Sequence, residues 1–248
     1  MILNIAFNFL LGAIVGSFLN ALIYRIPRKI SIYKKRSFCP KCNHQLAWYD
    51  LIPILSYILL RGKCRYCGSK ISPKYLIVEL ITAFYFSFSF LMFGYSVFYI
   101  ESIFFFSILL VISLIDLEFM EIPDFLIIVG IVVEILLVIL KKSYVSSFSG
   151  MIIPPLIFAI IILVSKGGMG GGDFKYSFFI GLTLGFPKII PWFILSFILG
   201  FFPAIYLLLS KKKERKSPIP FGPFMSLSAI IIYMWGDSII RFYTSLML

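Results

Sequence analysis

The sequence predicts an all-α polytopic membrane protein of about eight transmembrane helices, with a zinc-stabilised cytoplasmic loop domain after the first helix. Three observations predict it. Hydrophobic residues make up 60% of the 248 positions and charged residues only 14%, with a mean hydropathy of +1.01. A soluble domain of this length exposes far more polar surface. Apolar runs of membrane-spanning length recur along the chain, and all four cysteines fall in a single long polar loop.

A hydrocarbon core of about 30 Å needs about 20 residues of helix. Runs of that kind lie near 2–24, 76–93, 97–115, 124–140, 147–165, 174–187, 188–209 and 221–246. The weakest boundary is Pro187-Lys188, which divides one long apolar stretch into a short and a longer helix. The run 51–60 is too short to span and reads as interfacial or packed within the loop. The chain therefore divides into a first transmembrane helix (1–24), a cytoplasmic tetracysteine domain (25–75) and a transmembrane core (76–248).

Lysine and arginine orient these spans. Residues 25–75 carry twelve of them against one acid, Asp50. If that loop is cytoplasmic and eight helices alternate, 116–123, 166–175 and 211–216 share its side. Nineteen basic residues then face the cytoplasm, and only Lys141, Lys142, Lys188 and Arg241 the other side. This is the positive-inside asymmetry expected of a multi-pass membrane protein. Both termini lie outside, and the first span is retained, because it lacks the basic leading region of a cleaved signal peptide. The net charge of +12 serves topology and contact with anionic membrane lipid, and the chain carries no nucleic-acid-binding motif.

The cysteines form two pairs, Cys39-Pro-Lys-Cys42 and Cys64-Arg-Tyr-Cys67. Two C-x2-C knuckles suit the four thiolates of tetrahedral Zn(2+). Asn43 and Gly68 follow them as turn formers, and nearby Lys and Arg favour thiolate over thiol. Disulfides are the competing reading, which a reducing cytosol disfavours. Four cysteines leave no open coordination position, so the zinc is structural, and His44 lies beside the site rather than ligating it. Trp48, Leu51, Ile52 and Ile54 are expected to supply a small core, with metal binding contributing the rest of the folding free energy.

The chemistry is expected in the acids. Gly167-Gly168-Met169-Gly170-Gly171-Gly172-Asp173 places one carboxylate behind a glycine run at the edge of a span. An ionisable residue there is a functional candidate by default. A second acidic segment, Asp116-Leu117-Glu118-Phe119-Met120-Glu121-Ile122-Pro123-Asp124, ends the span 97–115. One out-and-back hairpin separates Asp116 from Asp173, which returns both to the same face. Two carboxylates within a few Å divide the labour, one protonated and one charged. A water-activating aspartyl protease needs that division. Asp124 reads as a helix-start residue but is not excluded as the partner by spacing. Glu118 and Glu121 are either solvated or attract a basic substrate, and Asp173 can cap its helix while serving catalysis.

These residues together resemble the bacterial type IV prepilin peptidases, membrane aspartyl proteases of the Gly-x-Gly-Asp class. Gly170-Gly171-Gly172-Asp173 fits that motif, and Ile115-Asp116 through Ile122-Pro123-Asp124 is similar to the family's first-aspartate segment. Gly16-Ser17-Phe18-Leu19-Asn20 with Tyr24-Arg25-Ile26-Pro27 is similar to its amino-terminal signature, and the cysteine pairs to its cytoplasmic domain. The resemblance runs from residue 12 to about 225, in order. It implies cleavage of the short basic leader of prepilins or pseudopilins at the cytoplasmic side, with Asp116 and Asp173 as the catalytic pair. It also implies N-methylation of the new amino terminus with S-adenosyl-L-methionine. Glu79 matches a characteristic family glutamate, with a role in methylation or in positioning the substrate amine. The glycines 170–172 are expected to leave a strand-like stretch bare, so that extended substrate backbone can lie against it. Two rival classes are an ion-coupled transporter using a carboxylate pair, without a visible inverted repeat, and a non-catalytic zinc-stabilised assembly factor.

Overall fold

The computed structural model describes residues 1–34, 36–164, 170–209 and 220–247. The first three residues of the glycine-rich stretch, Gly167, Gly168 and Met169, and the basic stretch 211–216 lie outside them. Helices run in the order α1 (Ile2–Arg25), α2 (Leu55–Leu59), α3 (Pro73–Phe93), α4 (Val97–Phe119), α5 (Asp124–Lys141), α6 (Tyr144–Val164), α7 (Gly171–Leu184), α8 (Ile189–Leu209) and α9 (Gly222–Met247). Every apolar run expected to span became one of them. Among the described residues there is no strand, only two isolated antiparallel bridges, Phe38 with Gln45 and Lys63 with Lys70.

The helix boundaries follow local chemistry. Helix α3 begins three residues before the apolar run because Ser72 caps it, its hydroxyl accepting from the Lys74 N–H at 3.3 Å. Pro73 then takes the first helical position, where its missing N–H costs nothing. Helix α4 continues past Asp116 and ends at Phe119, with Met120 in the left-handed region at φ +55°. A turn over Gly185–Lys188 separates α7 from α8, at the weak boundary noted in the sequence.

Among the described residues, five helices, α1, α3, α4, α6 and α9, are long and apolar enough to cross a membrane. Helix α5 spreads Asp124, Glu134 and Lys141 over 18 residues. Helix α7 has 14 residues, about 21 Å of rise, and is short of the hydrocarbon thickness. The multi-pass character thus stands on five helices.

The chain forms two compact units, Met1–Ser107 and Ile108–Leu248, the division falling within α4. In the first, α1 packs along α3 with almost no side chain between them. A Cβ on Gly12 would stand 2.7 Å from the Ala83 Cα, and one on Gly16 would stand 2.8 Å from the Glu79 Cα. Small residues four apart give membrane helices this close approach. In the second unit α6 and α7 meet backbone to backbone at Gly150 and Gly181, each blocked by the other's carbonyl oxygen. This fixes α7, and with it Asp173.

The cysteine module corrects one expectation. Trp48, Leu51 and Ile52 are exposed, Trp48 at 76%, and form no core. The module is organised instead around buried polar groups. Arg25 donates to the carbonyls of Ser31, Ile32 and Arg36 at 3.3, 2.9 and 3.1 Å. Asp50 accepts from the Ala47 N–H, Arg65 Nε and the Tyr66 hydroxyl at 3.2, 2.7 and 2.9 Å. Burial opposes the Asp50 charge, and the donors from Arg65, Tyr66 and Ala47 outweigh it, holding the carboxyl below its usual range. With these apolar residues exposed, the loop closes on charge-assisted hydrogen bonds instead.

Candidate functional site

Two constellations carry chemistry, one in each unit. In the first unit the two cysteine pairs sit in matching turns. The Cys39 N–H donates to the His44 carbonyl and the Asn43 N–H to the Cys39 carbonyl, at 3.0 and 2.8 Å. The Cys64 N–H donates to Ser69 and the Gly68 N–H to Cys64, at 2.8 and 2.9 Å. Asn43 and Gly68 take positive φ, +56° and +68°, as their turn-forming chemistry predicts.

This brings the sulfurs of Cys39, Cys42, Cys64 and Cys67 within 4.8 Å of one another, with Cys39 and Cys67 Sγ 3.9 Å apart. Tetrahedral Zn–S bonds of about 2.3 Å place sulfurs about 3.8 Å apart, so the cluster fits zinc, and all four cysteines are free of disulfides. The Ser69 hydroxyl and amide bring Cys67 down to about 6. Cys42 goes the other way, to about 11: the His44 backbone favours its thiolate, but burial and the Cys67 and Cys39 sulfurs outweigh it. Such a cluster cannot hold four thiolates without a cation. His44 is exposed and stacks on Tyr66, ring centroids 3.7 Å apart, outside the ligand set.

In the second unit, Asp116 near the end of α4 and Asp173 in the first turn of α7 are both buried, at 5% and 8% exposure. They lie close enough for the charge of Asp116 to act on Asp173. The structure thus brings together the pair expected from the sequence. Asp124 is elsewhere. It is exposed, and its two oxygens accept from Lys175 Nζ at 2.9 and 2.8 Å, tying the start of α5 to the start of α7.

The glycines before Asp173 divide in their tasks. Gly170 is the extended residue ahead of α7, at φ −69° and ψ 137°, and its amide lies against the Asp173 carboxylate. Gly171 and Gly172 already belong to the helix, so the strand-like stretch expected over 170–172 is confined to Gly170. A Cβ on Gly171 would meet nothing within 4 Å, whereas one on Gly172 would press on the Ile122 Cβ at 3.2 Å. Gly172 is accounted for by packing, a Cβ on Gly170 would stand 3.3 Å from Asp173 Oδ2, and Gly171 is open.

Three residues that the sequence reading passed over complete the pair's surroundings. The Gly222 N–H, at the start of α9, donates to Asp116 Oδ2 at 2.9 Å. A Cβ there would stand 2.7 Å from that oxygen, so only glycine lets the backbone come this close. Ser226 donates to the Gly222 carbonyl at 2.7 Å and lies 2.8 Å from the Tyr176 hydroxyl. Having spent its one proton on Gly222, Ser226 accepts from Tyr176. Tyr176 is fully buried and feels both aspartates. Its position three residues after Asp173 on the same helix face, and the Phe221-Gly222-Pro223 turn before the last span, are the signals that sequence reading could have used.

Glu79 lies on α3, in the first unit. It is buried at 8% exposure, and its Oε2 accepts from the Ile54 N–H at 2.7 Å.

Comparison with known proteins identifies relatives along most of the chain. Residues 10–93 match the bacterial peptidase A24 N-terminal domain and residues 103–205 the type IV leader peptidase family. The chain is 34% identical to a prepilin leader peptidase/N-methyltransferase of Bacillus subtilis, over 97% of this chain and 98% of that protein. It is 31% identical to the protein of that name from Aeromonas hydrophila, over 95% and 92%, and 30% identical to that of Pseudomonas aeruginosa, over 94% and 91%. No solved structure matches it significantly. With its carboxylate pair in one matched segment and its cysteine module in the other, the chain belongs to the type IV leader peptidase family.

Proposed function

We propose that this chain is a bifunctional membrane enzyme. It cleaves the short basic leader of type IV prepilins or pseudopilins at the cytoplasmic face of the inner membrane, then N-methylates the new amino terminus with S-adenosyl-L-methionine. The observation that carries the peptidase reading is the meeting of Asp116 and Asp173, two buried carboxylates from different helices, at a site with a backbone donor, Gly222.

Asp116 and Asp173 perform hydrolysis as a pair sharing one proton. The ionised carboxylate takes a proton from water as the water oxygen attacks the scissile carbonyl. The protonated one donates to the carbonyl oxygen, and a proton then passes to the leaving nitrogen as the C–N bond breaks. The Gly222 N–H bond holds Asp116 in one orientation, a prerequisite for both transfers. Gly170, against the Asp173 carboxylate, and the open Gly171 leave room for extended substrate backbone beside Asp173. The excess of Lys and Arg in the loops supports a site on the cytoplasmic side, where Glu118 and Glu121 attract the basic leader. Zinc on Cys39, Cys42, Cys64 and Cys67 holds the loop fold and takes no part in either reaction.

The test is cleavage of a prepilin by purified protein. Asp116→Asn and Asp173→Asn are each expected to lower the rate at least a thousandfold. Undiminished cleavage by either variant overturns the catalytic assignment.

A further inference from the structure

The cysteine module keeps its one acid inside and leaves large apolar side chains outside. Trp48, Leu55, Ile58 and Leu59 are all more than half exposed, whereas Asp50 is buried. Contiguous apolar surface of this kind marks a contact with another protein or with a membrane. The turn Trp48–Leu51 packs against α2, so Trp48 and the α2 side chains are neighbours. Within and just after α2, Ser56, Tyr57 and Leu60 line a cavity together with Tyr75 and Glu79 of α3. Leu55, Ile58 and Leu59 are left for the outer face.

A hydrogen bond sets the level of α2 against the membrane. The Ile54 N–H, immediately before α2, donates to Glu79 Oε2 at 2.7 Å. Glu79 lies six residues into α3, about 9 Å of helix rise. At that level α1 presents Gly16, whose Cβ would stand 2.8 Å from the Glu79 Cα. Gly16 is nine residues short of the end of α1 at Arg25, about 14 Å of rise. Both helices are long and apolar enough to cross a membrane, so α2 starts beside their apolar stretches and not above them. Ile54 is held there under strain. It takes φ +65° and ψ −55°, a state that β-branched residues almost never adopt and that persists only where surrounding structure enforces it.

Charge completes the pattern. Asp50 is the one acid among residues 25–75, against twelve Lys and Arg, so the exposed charge of the module is basic. Arg61 and Lys63, directly after α2, are both exposed. An apolar face with basic side chains beside it suits a segment lying in an anionic membrane surface, and tryptophan favours that interface.

We propose that Trp48 and the outer face of α2 form a wedge seated in the bilayer leaflet on the module's own side. Leu55, Ile58 and Leu59 enter among the acyl chains, and Trp48 lies at headgroup level. Arg61 and Lys63 pair with anionic phospholipid headgroups. The bilayer takes the place of the apolar core that the module lacks.

The test uses full-length protein reconstituted in vesicles of phosphatidylglycerol and phosphatidylcholine. Lipids brominated on their acyl chains quench tryptophan on contact. The emission of Trp48 is the difference between the parent and Trp48→Phe, which subtracts Trp192 and Trp235. Brominated lipid is expected to lower that difference at least twofold, and a difference that bromine leaves unchanged overturns the wedge. Quenching that appears only on dilution to one chain per vesicle assigns the face to a second copy and also overturns it. The second measurement is trypsin cleavage after Arg61 and Lys63 in the same vesicles. Leu59→Asp changes an exposed position, which costs the fold little, and is expected to be cut at least fivefold faster than the parent. Leu59→Phe keeps the apolar character and should be cut at the parent rate. Both should retain the parent's metal content, so that faster cutting reports release from lipid and not unfolding of the module. Parent-rate cutting of Leu59→Asp, or equally fast cutting of Leu59→Phe, overturns the wedge. Should Leu59→Asp lose its metal, the quenching of Trp48 decides alone.

Discussion

The Gly222 N–H meets Asp116 Oδ2 at 2.9 Å, and a Cβ on Gly222 would stand 2.7 Å from the same oxygen. The approach that orients the carboxylate is open to glycine alone. Gly222→Ala is therefore expected to displace Asp116 and lower prepilin cleavage at least tenfold, about 1.4 kcal/mol or more of barrier. Helix content by circular dichroism should stay at the parent value. Parent-level cleavage by this variant would show that Asp116 needs no such support.

Tyr176→Phe removes the donor to Ser226 and leaves the Ser226–Gly222 bond in place. The loss of one buried hydrogen bond, about 1 kcal/mol, should appear as a lowered Tm in detergent. Cleavage should fall less than in Gly222→Ala, because Asp116 keeps its direct donor.

Asp124→Asn separates the acidic cluster by role. Asp124 is exposed and paired with Lys175, also exposed, and such pairs contribute at most about 1 kcal/mol. Cleavage is expected to stay within about threefold of the parent. A loss as deep as that of Asp116→Asn would make Asp124 the partner of Asp173.

The cysteine module should hold about one zinc per chain, measured by mass spectrometry of the purified protein. Chelation, or Cys64→Ser, is expected to release the metal and expose the Lys- and Arg-rich loop to trypsin. Without metal the module has no apolar core to fall back on, since Trp48, Leu51 and Ile52 face outward.

Gly16→Val tests the packing of α1 on α3. Its Cβ would stand 2.8 Å from the Glu79 Cα, and overpacking of this kind costs about 1–3 kcal/mol. A lowered Tm in detergent is expected, and an unchanged Tm would show that α1 and α3 can part without cost.

The helices were legible because each apolar run is bounded by chemistry that stops it: Ser72-Pro73 before α3, Gly185 through Lys188 between α7 and α8. The four-cysteine cluster was legible because a C-x2-C turn is a local object, closed by Asn43 or Gly68 within a few residues. The loop's interior was not. Hydrophobicity pointed to Trp48, Leu51 and Ile52, but buried polar groups organised the module, and Arg25 and Asp50 find partners up to 16 residues away. The glycines 170–172 looked alike in sequence and have different tasks, because Ile122 presses on only one of them.

By itself the sequence determined the membrane class, the tetracysteine module and the two acidic segments, all of which follow from composition and short spacings. Only the tertiary structure decided which acid meets Asp173, and that Gly222, 106 positions from Asp116, supplies its donor. Only the fold placed Glu79 on a cavity and Asp124 in an ion pair. Spacing along a chain sets which residues share a turn or a helix face. Which buried charges face each other depends on how helices pack, and glycine contacts such as those of Gly150 with Gly181 determine that packing.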